Sequence, residues 1–306
     1  MDEIDKSTIY ENLNELTTLK SLLDKNWINE ELEKNTPSPL LWLIKYKEMS
    51  LQHLENNLSY LGSNEINKHK KHILGLIKGD ESNLYGILTE IEVWAHLKRN
   101  NISCYYQKQV DGLNPDFLIK FDEENIVVET VAIGEEENVK SKTIREMSKK
   151  ENNGRWGFVV NGVEKNSDCC RLYNLLKTKE EKFKDTFKNI IVVNTLFASS
   201  GGLWSLKNAI SGYYQREDGG QQIGYLSCKN KYDKNIDFRA FFALKDANRI
   251  VNLVVGYPGS INNGCTLYFH DNPYTPFTQP EKEVIRQIFS EAKNVVNENN
   301  EMEVIK

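Results

Sequence analysis

Two carboxylates in this chain stand where carboxylates can do chemistry. Asp116 follows Pro115 and opens an apolar run, Phe117-Leu118-Ile119-Lys120-Phe121. Glu129 interrupts a second run, Ile126-Val127-Val128-Glu129-Thr130-Val131-Ala132-Ile133. Asp122, Glu123, Glu124 and Asn125 lie between the runs as a polar break of hairpin length. Strand side chains alternate with period two, so Asp116, Leu118 and Lys120 share one face of the first strand. Val127, Glu129 and Val131 share one face of the second. If those faces coincide, Asp116 and Glu129 converge, and converging carboxylates of this kind hold a divalent cation for phosphodiester hydrolysis.

The elements that must position this pair are legible on both sides. Gly79-Asp80-Glu81-Ser82 is the clearest boundary in the chain. After it, Leu84, Ile87, Leu88, Ile91, Trp94, Ala95 and Leu97 fall at helical spacing, ending near Arg99-Asn100-Asn101. Glu90 has Ile87 and Trp94 at i−3 and i+4, so it lies close to the apolar stripe, where an acid is costly unless paired or bound. Ile102 to Gln107 then predicts a strand leading into the hairpin. Downstream, Asn138 to Lys188 holds thirteen Lys/Arg against seven Asp/Glu. A basic helix over about 138–151 and a second helix over 169–187 are expected there. Ile190-Ile191-Val192-Val193 reads as a strand buried on both faces.

Helix with Glu90, strand, Pro115-Asp116, then Glu129 on the next strand: in this order the segment from about Ser82 to Ala198 resembles the restriction-endonuclease-like superfamily, whose signature is PD followed by (D/E)xK. The resemblance implies a mixed α/β core and a divalent-metal-dependent nuclease. Asp116 and Glu129 would bind Mg²⁺ or Mn²⁺, with Glu90 as a third acid, directly or through water. It also implies a nucleic-acid partner, DNA in the first instance. The sequence departs from the signature at one place. The motif lysine, which in the family orients or activates the attacking water and stabilises developing charge, falls where this chain has Val131. Three readings follow. A lysine from elsewhere substitutes, Lys142 being the leading candidate, with Lys140 and Lys120 beside it. Or the metal alone activates water. Or the site is silent, and the protein is a nucleic-acid-binding or assembly module.

Composition sets the frame. The chain has 306 residues, a net charge of −5, 39% hydrophobic residues and 27% charged. The balance suits a protein with a buried core and argues against a surface that is basic overall. No apolar run reaches membrane-spanning length and the N-terminus lacks a signal-peptide pattern, so no membrane partner and a cytoplasmic setting are expected. Five cysteines at irregular positions fit neither a disulfide framework nor a zinc ribbon. Residues 1–80 read as an all-helical N-terminal region, with Thr8 and Glu11 as a capping box and breaks at Thr36-Pro37-Ser38-Pro39 and Leu61-Gly62-Ser63-Asn64. Residues 81–306 read as the nuclease-like α/β domain, with a strand-rich last third and a C-terminal helix starting at Thr278. His69 and His72 sit among lysines without evident acidic partners and read as exposed polar residues. Ala198 to Gly202 lacks the Gly-Lys-Ser/Thr of a phosphate-binding loop.

Overall fold

The computed structural model describes residues 5–34, 37–121, 124–133, 168–196, 202–215, 221–223, 225–229, 235–242, 248–289, 294–296 and 302–303. The helices Lys6–Asn14 (α1), Thr17–Leu22 (α2), Lys25–Leu32 (α3), Pro39–Tyr46 (α4) and Met49–Ile77 (α5) come first. The helix Glu81–Arg99 (α6) follows, then strands Cys104–Tyr106 (β1), Phe117–Phe121 (β2) and Glu124–Ala132 (β3). Helix Asp168–Glu180 (α7), strand Lys188–Asn194 (β4) and helix Gly202–Ser211 (α8) come next. The remaining elements are Tyr213–Gln215 (β5), Gln221–Ile223 (β6), Tyr225–Lys229 (β7), Asn235–Arg239 (β8), Leu253–Tyr257 (β9), Thr266–Phe269 (β10), the helix Gln279–Ile288 (α9), Asn294–Val296 (β11) and Met302–Glu303 (β12). The main sheet runs β1-β2-β3-β4-β9-β10-β11-β12. β1, β2 and β3 pair antiparallel, β4 and β9 continue parallel to β3, and β10 turns back antiparallel. Two short hairpins, β5-β6 and β7-β8, stand apart from it.

Strand alternation explains the layers. Phe117, Ile119, Val128, Ile190, Val192 and Val255 face one way, into a core shared with α6, α9 and the N-terminal helices. Leu118, Val127, Val131, Ile191, Val193 and Val254 face the other way, onto Leu172 and Leu176 of α7 and Leu206 and Ile210 of α8. The mixed α/β expectation holds in this form, a sheet between two helical layers. The N-terminal helices share one hydrophobic cluster with the sheet, from Ile9 and Leu13 through Ile73 and Ile77 to Val128 and Ile285.

Local signals set most boundaries, with some corrections. α1 is capped by Asp5, whose carboxylate accepts from the N–H groups of Ser7 and Thr8, so the Thr8–Glu11 capping box does not form. Gly62, at φ 78 and ψ 156, bends the chain where a helix stop is expected, and helix resumes directly on its far side. At α9 the capping box between Thr278 and Glu281 is present. The helix expected over 169–187 ends at Glu180, and a turn leads to β4. Cys170 is disulfide-bonded, although the irregular cysteine spacing suggests no disulfide framework. No helix among the described residues is long and apolar enough to cross a membrane.

α8 approaches the sheet closely at Gly256 of β9. A Cβ built there would stand 2.3 Å from Leu206 Cδ2 and 3.1 Å from Leu203 Cδ2. Gly256→Ala is therefore expected to cost about 1–3 kcal/mol through overpacking. Leu206→Val in the same chain should recover part of that loss, a non-additivity that urea unfolding of the two single variants and the double variant would measure.

Candidate active site

The hairpin brings Asp116 and Glu129 together. Phe117 pairs with Val128 in the antiparallel register, so Asp116, one residue before β2, stands opposite Glu129. Continued one step further, the same register sets Pro115 against Thr130, and a proline has no N–H to give to the ladder. The Asp116 carboxylate serves a different group, the Thr130 N–H and hydroxyl. Its Oδ2 accepts from Thr130 N at 2.7 Å and from Thr130 Oγ1 at 2.9 Å. Both acids are buried, Asp116 at 7% exposure and Glu129 at 1%.

The cation that meets them comes from α7. Lys179 Nζ lies 2.7 Å from Glu129 Oε2 and 3.5 Å from Asp116 Oδ2. Lys182, just past the end of α7, reaches Glu129 Oε2 at 3.0 Å with its side chain half exposed. Burial and the neighbouring Asp116 charge push the Glu129 carboxyl above its ordinary value, and the two lysines pull against them without prevailing. For Lys179, burial lowers the ammonium's pKa, but Asp116 and Glu129 overcome it, and the net shift is upward. Lys179 is therefore held charged.

Glu90 sits on the other side of this cluster. It is buried in α6 and accepts from the Tyr106 hydroxyl at 2.6 Å. His72 Nε2 stands 3.4 Å from the same Oε2. Tyr106 pairs with Phe117 in the β1-β2 ladder, beside Asp116, and Gln107 N donates to Asp116 O at 2.9 Å. Burial and the charges of Glu90 and Asp116 push the Tyr106 phenol far up, so it stays a donor. The Glu90 hydrogen bond, opposed by partial burial, raises His72. His72 is exposed, as expected, but it touches an acid, and His69 is half-buried, packed edge-on against Trp94 and Tyr106.

The lysine expectations resolve differently. Lys142 and Lys140, like the rest of the basic helix expected over 138–151, lie outside the described residues. Lys120 is exposed and pairs with Asn125, four residues along β2 from Asp116, about 13 Å at strand rise. It is not part of the site. Val131 is buried in the apolar layer beneath α7, so the motif position itself has no room for a solvated ammonium. The lysine that does arrive, Lys179, had a signal in the sequence. It falls at i+7, i+4 and i+3 from Leu172, Leu175 and Leu176, on the apolar stripe of its helix, the same anomaly that marks Glu90.

Among the described residues, no three His, Cys, Asp or Glu side chains are set to hold one ion, so Glu90 does not join Asp116 and Glu129 as a third ligand. Two carboxylates nevertheless fit a magnesium-class ion, which keeps several waters and takes one or two protein carboxylates plus substrate phosphates. The hydrogen bonds that the described residues give this pair end on Oδ2 and Oε2, so Asp116 Oδ1 and Glu129 Oε1 are the oxygens to receive it. No protein-family model, no curated protein and no solved structure matches this chain.

Glu129 binds a proton more tightly in the folded chain than in the unfolded one. Its own contribution thus favours the fold below the ordinary carboxylate pKa of about 4.5 and is lost as pH rises through the higher folded value. Lys179→Met removes the nearer cation. The variant should lose about 3 kcal/mol at pH 8, the cost of breaking a buried pair. That loss should shrink towards pH 5 as Glu129 takes up a proton. Urea unfolding at the two pH values measures the difference, and an equal loss at both would contradict the assignment.

Proposed function

We propose that this chain is a divalent-metal-dependent nuclease of the restriction-endonuclease-like kind, in which Lys179 does the work of the missing motif lysine. The observation that carries the reading is the meeting of Asp116, Glu129 and Lys179 at one point, with Val131 buried where the motif lysine would stand. The order of elements lends further support: a helix bearing Glu90, a strand, the Asp116–Glu129 hairpin, a helix and a parallel buried strand.

Asp116 and Glu129 would hold the ion through the oxygens that accept no hydrogen bond from the described residues. When bound, it supplies positive charge for the phosphate oxygens and a water of lowered pKa. Thr130 fixes the Asp116 carboxylate from two donors and so sets where its other oxygen points. Lys179, buried and held charged, orients the attacking water and offsets charge developing on the phosphate. Lys182, half exposed, can leave Glu129 and follow a substrate phosphate. The expected substrate is nucleic acid, DNA first.

One observation favours a rival. Glu129 Oε2 already has two ammonium partners, so the pair is charge-balanced without an ion, as in a silent nuclease-fold module that binds and does not cut. Calorimetric titration with Mg²⁺ and Mn²⁺, beside cleavage assays on plasmid, single-stranded DNA and RNA, separates the two. The nuclease reading predicts metal binding that Asp116→Ala abolishes. It also predicts cleavage that falls by about 100-fold or more in Asp116→Ala and in Lys179→Met. Absence of both metal binding and cleavage would sink it.

A further inference from the structure

One basic surface plays no part in the chemistry above. The C-terminal half of α5 carries Lys68, His69, Lys70, Lys71 and His72 in a row. Helical spacing gathers Lys68, Lys71, His72 and Gly75 on one face, and these residues, with His69 and Leu76, line an open groove. Two helix glycines are of note, Gly75 in the last turn of α5, which lines the groove, and Gly86 within α6. Gly86 is one turn before Glu90, which meets His72, itself three residues before Gly75. Neither glycine has a heavy atom within 4 Å of where a Cβ would lie, and neither needs a positive φ. A glycine inside a helix costs about 0.5–1 kcal/mol relative to alanine. Here neither packing nor backbone conformation calls for it. What it leaves is bare backbone that a ligand can approach closely.

The charges on this face suit an anion. The acid beside the lysines is Glu65, half-buried and paired at 2.7 Å with the exposed Lys68. Such a pair contributes at most about 1 kcal/mol and exchanges readily for a stronger anion. Cations one turn apart, about 5.4 Å along the axis, can contact neighbouring phosphates of one strand. One lining residue is tied to the site through buried side chains. His72 meets Glu90, Glu90 holds Tyr106, and Tyr106 lies in the ladder next to Asp116.

We propose that the face of α5 formed by Lys68, Lys71 and His72 around Gly75 binds the phosphate backbone of a nucleic-acid strand and leads it to Asp116 and Glu129. The identity of this ligand rests on the nuclease reading, and the binding itself can be measured without cleavage. Fluorescence anisotropy in EDTA, over a series of NaCl concentrations, would use labelled 20-nucleotide single strands and 20-base-pair duplexes of DNA and RNA. For the best of these probes the Lys68→Ala/Lys71→Ala chain should bind about 10-fold more weakly. The slope of log affinity against log salt should fall by about 1.4–1.8, the loss of two phosphate contacts. Gly75→Gln fills the open space with a better helix former. It should lose a similar factor in affinity while its melting temperature stays level or rises. Wild-type affinity and slope in both variants would overturn the proposal, as would failure of the wild-type chain to bind any probe. So would equal competition by polyglutamate, which would mark the face as one for acidic proteins or any polyanion. Binding that depends on these residues, with neither metal binding nor cleavage, would sink the nuclease reading alone. Cleavage without that dependence would sink this inference alone.

Discussion

A carboxylate almost wholly removed from water, Glu129 in the middle of an apolar strand, is the constraint on which the surrounding structure depends. An uncompensated charge at that depth is far more costly than any single contact in the core can offset. The compensation comes from a helix nearly fifty residues further along the chain. Lys179 and Lys182 both reach Glu129 Oε2 from α7 and the residues after it. This fixes which end of α7 lies over the hairpin. The apolar residues one and two turns earlier, Leu172 and Leu176, then pack against Val127, Val131 and Ile191 on the same side of the sheet.

The two faces of the sheet divide the work. The α7 side carries the lysines and the short apolar layer below them. The α6 side carries the larger core and the buried hydrogen-bond chain from His72 through Glu90 to Tyr106. They meet where β2 begins. Pro115 has no N–H to continue the ladder there, and the Asp116 carboxylate accepts from the Thr130 N–H. A single residue thus closes the end of the hairpin and brings both networks into one electrostatic neighbourhood. The charge of Asp116 is felt by Glu129, Lys179, Tyr106 and His72 alike.

On the proposed reading, the departure at Val131 is a change in where the lysine is anchored rather than a loss of it. A lysine two residues after Glu129 would project from β3 into the apolar layer that Val131 now fills. A lysine on α7 reaches the same carboxylate from above, with its stem along the helix and its ammonium between Asp116 and Glu129. The geometry keeps a positive charge beside the two acids while Val127 and Val131, the neighbours of Glu129 on that face, stay apolar.

What the amino-acid sequence determined by itself is the local part. The hairpin, its carboxylates and their shared face follow from period-two alternation and turn chemistry, and the paired register agrees with them. The burial of Ile190 to Val193 follows from an unbroken apolar run, and the start of α9 from the Thr278–Glu281 cap. Glu90 stood out because an acid beside an apolar stripe has to be answered by something. Tertiary structure alone decided what answers. Nothing local shows that Glu90 finds Tyr106 and His72, or that Glu129 finds Lys179, because those partners are brought in by packing between elements far apart in the chain. Lysines at 140 and 142 and a lysine at 179 look alike as a string of charges. The docking of α7 on the sheet is what gives Lys179 a carboxylate within 3 Å. The helical N-terminal region shows the same limit. Its helices and their breaks are written in the sequence, but its place in one core with the sheet comes from how its helices pack against α6.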